Sequence, residues 1–282
     1  MPVARAVVTG VQSLARNKVV RGLATTAVPV VIGAARERLP DAYRARNPIV
    51  AVTGLGGSGK TVLVHQACSR KRDYSPIEFE SPTVEKQAWR TGLSGMRFRI
   101  VPGGDVAARR TGFEQLFHSE PVDGVVHVVA DGLATARPGS TPQALDTSLS
   151  LDAYRALQRE REVEDFRRTA THIASLVGAS RKPIWLLIAV TKTDLLHPHV
   201  ANDVVENYYS LTGHSPFAEA LRDLRRQVGD GGLTTAVMPV YAIAQDFEFN
   251  GQRLATRGTD SDRDAKLDAF RHRLRHLTGQ IS

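Results

Sequence analysis

Two short runs of residues have types and spacings that could do chemistry. The first is Gly54-Leu55-Gly56-Gly57-Ser58-Gly59-Lys60-Thr61, which fits the pattern G-x-x-x-x-G-K-[ST]. Gly54, Gly56, Gly57 and Gly59 let the backbone approach a phosphate and turn its N–H groups, that of Ser58 among them, inward. Lys60 supplies a mobile point charge for β- and γ-phosphates. Thr61 offers a hydroxyl to Mg²⁺, an ion that keeps several waters and takes few protein ligands. The same glycines could also build a turn that binds nothing, so the flanking elements have to decide.

The second run is Thr191-Lys192-Thr193-Asp194, which begins 130 residues after Thr61. A carboxylate such as that of Asp194 only accepts, through two oxygens. Guanine presents two adjacent donors, N1–H and the 2-amino group, whereas adenine presents an acceptor and no amino group at the matching edge. Asp194 can therefore hold guanine bidentately and leaves polar groups unpaired against adenine, a discrimination that reaches about 10⁴. The Lys192 stem can lie over the base plane. Taken without context, T-K-x-D also fits a plain turn.

The elements that must position these runs are legible around them. Residues 49–53 read as a short buried strand, and 62–70 as a helix free of Pro and Gly, which gives the strand–loop–helix context the first run needs. Residues 184–190 form a continuous apolar run, the mark of a strand buried on both faces of a parallel sheet. Thr191 to Asp194 then fall at its carboxyl end, where open α/β sheets bind ligands. Further strands are predicted at 125–130, with His127 a core histidine, at 236–242, and at 96–101, the last with one solvated face. Helices are predicted at 106–119, 151–177, 201–210, 216–228 and 261–277. Residues 73–93 read as a long loop with an edge strand at 77–79, and 131–149 and 245–259 as further loops. On helix 151–177, Arg155, Arg159, Arg161, Arg167 and Arg168 interleave with Glu160, Glu162, Glu164 and Asp165, which predicts a solvated face of short-range ion pairs. The alternation of strands and helices predicts a three-layer α/β fold with a mostly parallel sheet.

Composition limits the alternatives. The chain has 282 residues, 42% of them hydrophobic, enough for one large α/β domain with appendages. Its single cysteine, Cys68, excludes an intramolecular disulfide and a cysteine-based metal site, and fits a cytoplasmic protein. The net charge of +8 is uneven: residues 1–48 carry eight basic residues against Glu37 and Asp41. With only 6% aromatic residues and no interleaved aromatic–basic signature, specific nucleic-acid binding is not expected. Residues 1–47 read as a basic helical arm ahead of a nucleotide-binding domain at 48–282, whose inserted loop and long helix fall around 131–178. Two readings of the arm stay open: helices that pack on the core or dock a partner, and a basic segment that lies on anionic lipid. Its apolar run at 23–35 is too short to span a bilayer.

Together, the two runs resemble the translation-factor-like and Ras-like P-loop GTPases, whose base motif is [NT]-K-x-D. The resemblance covers residues 48–280. It implies a Ras-like G domain, GTP and GDP with Mg²⁺, and a switch cycle read by a protein effector. It assigns Gly54 to Thr61 to the phosphates, Thr61 also to Mg²⁺, and Thr191, Lys192 and Asp194 to guanine. The third base loop of the family is similar to Tyr241-Ala242-Ile243, where the Ala242 N–H faces the guanine oxygen. Ser81-Pro82-Thr83 looks like the Pro-Thr of the Arf-like branch, which makes Thr83 the candidate that closes on Mg²⁺ and the γ-phosphate. A likeness to the signal-recognition-particle-receptor β-subunit branch is the other affiliation.

The second switch departs from the family. In the D-x-P-G register its Asp position is Ile100, its γ-phosphate glycine is Gly103 and its catalytic position is Gly104. In the D-x-G-G register these become Val101, Gly104 and Asp105. Both registers lack the Asp that holds Mg²⁺ through water, and neither offers a Gln or His to orient an attacking water. Asp105 and Asp131 are the substitutes the sequence offers. The expectation is slow hydrolysis, or hydrolysis completed by a partner's arginine; the alternative is an adaptor that holds GTP without hydrolysing it. An ATP-using P-loop enzyme, with Thr191–Asp194 incidental, ranks last.

Overall fold

The run Ile184–Val190 reads IWLLIAV, and every residue of it is buried. A strand with no polar face needs cover on both sides. The computed structural model, which describes residues 47–68, 83–91, 94–103, 106–119, 122–135 and 148–281, provides that cover. The strands are β1 (Ile49–Gly54), β2 (Glu85–Thr91), β3 (Ser94–Ile100), β4 (Gly124–Val129), β5 (Ile184–Val190) and β6 (Leu233–Pro239), in the order β2-β3-β1-β4-β5-β6. All neighbours pair in parallel except β2, which runs antiparallel to β3. The helices are α1 (Lys60–Cys68), α2 (Val106–Ser119), α3 (Leu151–Ser180), α4 (Pro198–Asp203), α5 (Pro216–Val228) and α6 (Asp260–Ile281).

Alternation along β5 divides the core into two halves. Leu186, Ile188 and Val190 join Phe113, Phe166, Ile173 and Phe217 from α2, α3 and α5. Trp185, Leu187 and Ala189 join Leu63 and Val64 of α1 with Leu267, Phe270 and Leu274 of α6. Gly124 makes room for this packing, since a Cβ there would sit 1.9 Å from the Trp185 ring. The result is the expected three-layer, largely parallel α/β architecture, consistent with a P-loop NTPase G domain.

Several elements differ from the sequence expectation. Residues 85–91, read as loop, form the edge strand β2. Its run EKQAWRT lacks a β-branched stretch, and the full-length antiparallel pairing with β3 supplies what local propensity does not. The segment 245–259 contains a hairpin of β7 (Phe247–Phe249) and β8 (Gln252–Leu254). Its turn, Asn250-Gly251, has φ of 46° and 75°, the left-handed pair that a two-residue hairpin turn requires. The expected helix at 201–210 starts earlier, with Pro198 in its first turn, and ends in a π-helical turn, Val204–Tyr208. No described helix is long and apolar enough to cross a membrane. The candidate edge strand at 77–79 and the arm, apart from Asn47, lie outside the described residues, as do residues 136–147 of the inserted loop.

Candidate functional site

β1 delivers the chain into the glycine loop, and α1 leaves it with Leu63 N–H donating to the Gly59 carbonyl at 2.8 Å. Gly57 has φ of 75°, and a Cβ on it would lie 2.1 Å from the Thr135 carbonyl oxygen. Any other residue there is both strained and blocked by backbone. Lys60 is buried and curls back over the loop, its Nζ donating to the carbonyls of Gly54 at 2.8 Å and Leu55 at 2.7 Å. Thr61 is half-buried on the first turn of α1.

The stretch after β3 meets this loop at Gly103. The Gly56 N–H donates to the Gly103 carbonyl at 3.0 Å. A Cβ on Gly103 would lie 2.4 Å from Lys60 Nζ and 2.7 Å from Gly56 N. Ile100 and Val101, the two positions where the family carries its Asp, are buried core residues. Thr83 is exposed just ahead of β2, at the sheet end where Glu85 pairs with Ile100. Gly104, Asp105, Ser81 and Pro82 lie outside the described residues.

The second run is tied directly to the first. The Thr191 hydroxyl, on a buried residue, lies 2.6 Å from the Ser58 carbonyl and 2.9 Å from that of Val129. Lys192 adopts a left-handed backbone, φ 58°, and its Nζ donates to the Leu133 carbonyl and Thr135 Oγ1, both at 2.6 Å. The same ammonium lies 5.0 Å from the centre of the Phe247 ring. Thr193 Oγ1 donates to the Val240 carbonyl at 3.3 Å, which ties this run to the segment carrying buried Ala242.

Asp194 is buried, and burial raises its carboxyl pKa against the hydrogen bonds that lower it. Oδ2 accepts from Thr256 Oγ1 at 2.8 Å and from the Gln245 N–H at 3.4 Å. A carboxylate accepts through two oxygens, and both of these bonds fall on Oδ2. The segment after β8 closes on this residue: the Arg257 N–H donates to its carbonyl at 2.7 Å, and a Cβ on Gly258 would lie 2.8 Å from its Cβ. Thr256 and the Gln245 backbone were not found from sequence. The Asn-Gly hairpin signal could have shown that the chain turns back here, but not that Thr256 reaches Asp194.

The loop 130–135 after β4 links the two runs. Besides receiving Lys192, it donates the Thr135 N–H to the Gly57 carbonyl at 3.1 Å. Its own turn is held by α3. Asp131, φ 51° and fully buried, forms ion pairs with Arg155 and Arg159, the latter at 2.6 Å. That clamp takes Asp131 away from the role of substitute for the missing second-switch Asp. Glu162, also buried, accepts from Ala130 N–H at 2.8 Å and Gly132 N–H at 3.3 Å through Oε1, and from the Tyr209 hydroxyl at 2.6 Å through Oε2. The expected solvated face of this helix is therefore corrected. Arg155, Arg159 and Glu162 turn inward onto the loop, Asp165 is buried, and Arg168–Glu164 is a surface pair of the expected kind. Helical spacing places 155 with 159 and 154 with 162 on neighbouring stripes, but charge pattern alone does not reveal a buried partner.

Glu162 makes stability depend on pH. Burial pushes its carboxyl up to about 7 from an ordinary 4.5, against the pull of its hydrogen bonds. A folded-state value above the unfolded one contributes stability that is full below about 4.5 and lost as pH rises through about 7. The folded protein loses on the order of 3 kcal/mol from this group across that window. In Glu162→Gln the amide oxygen accepts from the same two N–H groups and its NH₂ meets the Tyr209 oxygen, so the pH slope flattens. Urea unfolding at pH 5, 6, 7 and 8 measures this; an unchanged slope refutes the assignment.

The residues present fit nucleotide phosphates: a left-handed Gly57, a helix start behind it and a lysine at the loop. For Mg²⁺ they supply the Thr61 hydroxyl, and no cluster of three His, Cys, Asp or Glu suited to a metal occurs among the described residues. Cys68 is not reactive, since burial pushes its thiol up to about 12.

No family model matches the chain, and no curated protein matches it. Among solved structures, a dimerization-deficient mutant of Toc33 from Arabidopsis thaliana is similar over 83% of this chain and 84% of its own, at 12% identity and a TM-score of 0.44. The functional reading therefore rests on the residues of this chain.

Proposed function

We propose that the chain is a guanine-nucleotide-binding switch. The observation that carries this reading is the direct bond between the two runs: Thr191 Oγ1 on the Ser58 carbonyl, 2.6 Å. It holds the glycine loop and the run that ends in Asp194 together at the carboxyl ends of β1 and β5, as a phosphate loop and a base-reading carboxylate would need. The loop N–H groups and Lys60 hold phosphates, the Lys192 stem covers the base, and Asp194 accepts from guanine N1–H and the 2-amino group. Mg²⁺, when bound with the phosphates beside Thr61, neutralises their charge. A γ-phosphate would order the segments around Thr83 and Gly103 for a protein effector to read.

Ligand-linked stability tests the reading. GDP at a hundred times its dissociation constant adds about 2.7 kcal/mol. That corresponds to a rise in melting temperature of roughly 5–10 °C, while ADP at equal concentration leaves it unchanged. Equal shifts from both nucleotides contradict guanine selection.

Buried Ile100 and Val101 at both possible Asp positions favour a second reading, an adaptor that holds GTP without turning it over. Single-turnover phosphate release over hours, with and without a partner extract, separates the two. Release in either arm supports a slow or partner-assisted GTPase, and intact GTP in both supports the adaptor.

A further inference from the structure

Four residues from the first three turns of α3 converge on one short loop. The Tyr154 hydroxyl donates to the Ala134 carbonyl at 2.6 Å. Arg155 Nε donates to the Asp131 carbonyl at 3.0 Å, and its guanidinium also pairs with the Asp131 carboxylate. Arg159 donates to Asp131 Oδ1 through Nε at 2.8 Å, and its guanidinium carbon lies 4.9 Å from the centre of the Tyr208 ring. Glu162 takes the Ala130 and Gly132 N–H groups and the Tyr209 hydroxyl.

The loop they hold is a tight left-handed turn. Asp131 and Gly132 are both left-handed, φ 51° and 76°, and a Cβ on Gly132 would lie 2.2 Å from the Arg155 carbonyl oxygen. The turn is closed by the Leu133 N–H on the Ala130 carbonyl at 2.8 Å, and the α3 side chains fix where it sits. What the loop presents on its other side is the candidate site itself: Thr135 N–H on Gly57, and Leu133 O with Thr135 Oγ1 on Lys192 Nζ. Holding two half-buried arginines on the buried carboxylate of Asp131, with buried Glu162 beside them, is not an economical way to gain stability, because desolvation offsets much of the attraction. It does fix geometry.

Building on the guanine-nucleotide reading above, we propose that the Asp131–Arg155–Arg159–Glu162 cluster, with its two carboxylates buried and its two arginines half-buried, positions the nucleotide site. It sets the 130–135 loop in the conformation that aligns Gly57 for phosphate and Lys192 for the base. Helix α3 thereby becomes a lever on affinity: anything that shifts its N-terminal turns shifts both halves of the site together. These four are positioning residues, acting through the loop.

The test measures the equilibrium dissociation constant of GDP carrying a methylanthraniloyl fluorophore for the full chain and four variants. Arg159→Gln removes one cation from Asp131. Arg159→Lys restores a cation there. Asp131→Asn removes the charge but keeps a residue tolerant of positive φ, so it answers the question if Arg159→Gln does not fold. Val177→Ala opens a cavity near the far end of α3 and controls for lost stability. Arg159→Gln and Asp131→Asn are expected to raise the dissociation constant about tenfold, with Arg159→Lys within about threefold of wild type and Val177→Ala unchanged. If the cluster variants bind as tightly as Val177→Ala at equal folded fraction, the cluster is structural only and the inference falls alone. If wild-type protein binds none of the probe, the guanine reading falls and takes this inference with it.

Discussion

Lys60→Ala protein is expected to bind GDP and GTP at least about a hundredfold more weakly than wild type. Charge-assisted hydrogen bonds are worth about 1.5–3 kcal/mol each, and an ammonium with three donors can make more than one of them to the β-phosphate that GDP and GTP share. The effect falls on binding and not on the fold. Lys60 Nζ donates to the carbonyls of Gly54 and Leu55, which lie at the site rather than in the apolar core. Lys60→Arg does not rescue, because the planar guanidinium needs width where Gly103 and Gly56 leave little: the Gly103 Cβ position is already 2.4 Å from the ammonium. Fluorescence titration with a labelled GDP, alongside a melting curve, measures both sides. Affinity within threefold of wild type removes Lys60 from the site.

Asp194→Asn protein is expected to prefer xanthine to guanine nucleotides, with guanine affinity lowered by about a thousandfold. The structure says which way the new amide faces. Oδ2 accepts from Thr256 Oγ1 and from the Gln245 N–H, so the single amide oxygen takes that place and the NH₂ replaces Oδ1. A donor then opposes the guanine 2-amino group, and buried unpaired donors cost about 1–3 kcal/mol apiece. Xanthine carries a carbonyl where guanine carries that amino group, and it accepts from the amide. Competition of GTP and XTP on the variant measures the exchange; an unaltered preference for GTP shows that Asp194 does not read the base.

The sequence exposed the parts of this molecule that are locally encoded. β5 was legible to the residue because an apolar run of seven has few alternatives, and the glycine loop was legible because its spacing is itself the chemistry. β2 was not, since its strand character comes from pairing with β3 rather than from its polar residues. The run Thr191–Asp194 could be read as far as Lys192 and Asp194. Thr256, 62 residues beyond Asp194, could not, because only the hairpin of β7 and β8 brings it back. The inward-facing charges of α3 escape the sequence for a related reason. Arg155 and Arg159 have acidic neighbours on their own helix, yet the carboxylate they choose is Asp131, on a loop more than twenty residues earlier. Contacts made across the chain carry no signal in local charge pattern.

Equilibrium competition against a fluorescent guanine nucleotide, in Mg²⁺, tests the central claim most directly. Unlabelled GTP, GDP and ATP are titrated against the wild-type complex. The account predicts that GTP and GDP displace the probe and that ATP does not at a thousandfold higher concentration, on the order of the discrimination a donor-reading carboxylate provides. Displacement by ATP at concentrations similar to GTP contradicts it, and would leave a phosphate loop without a base reader.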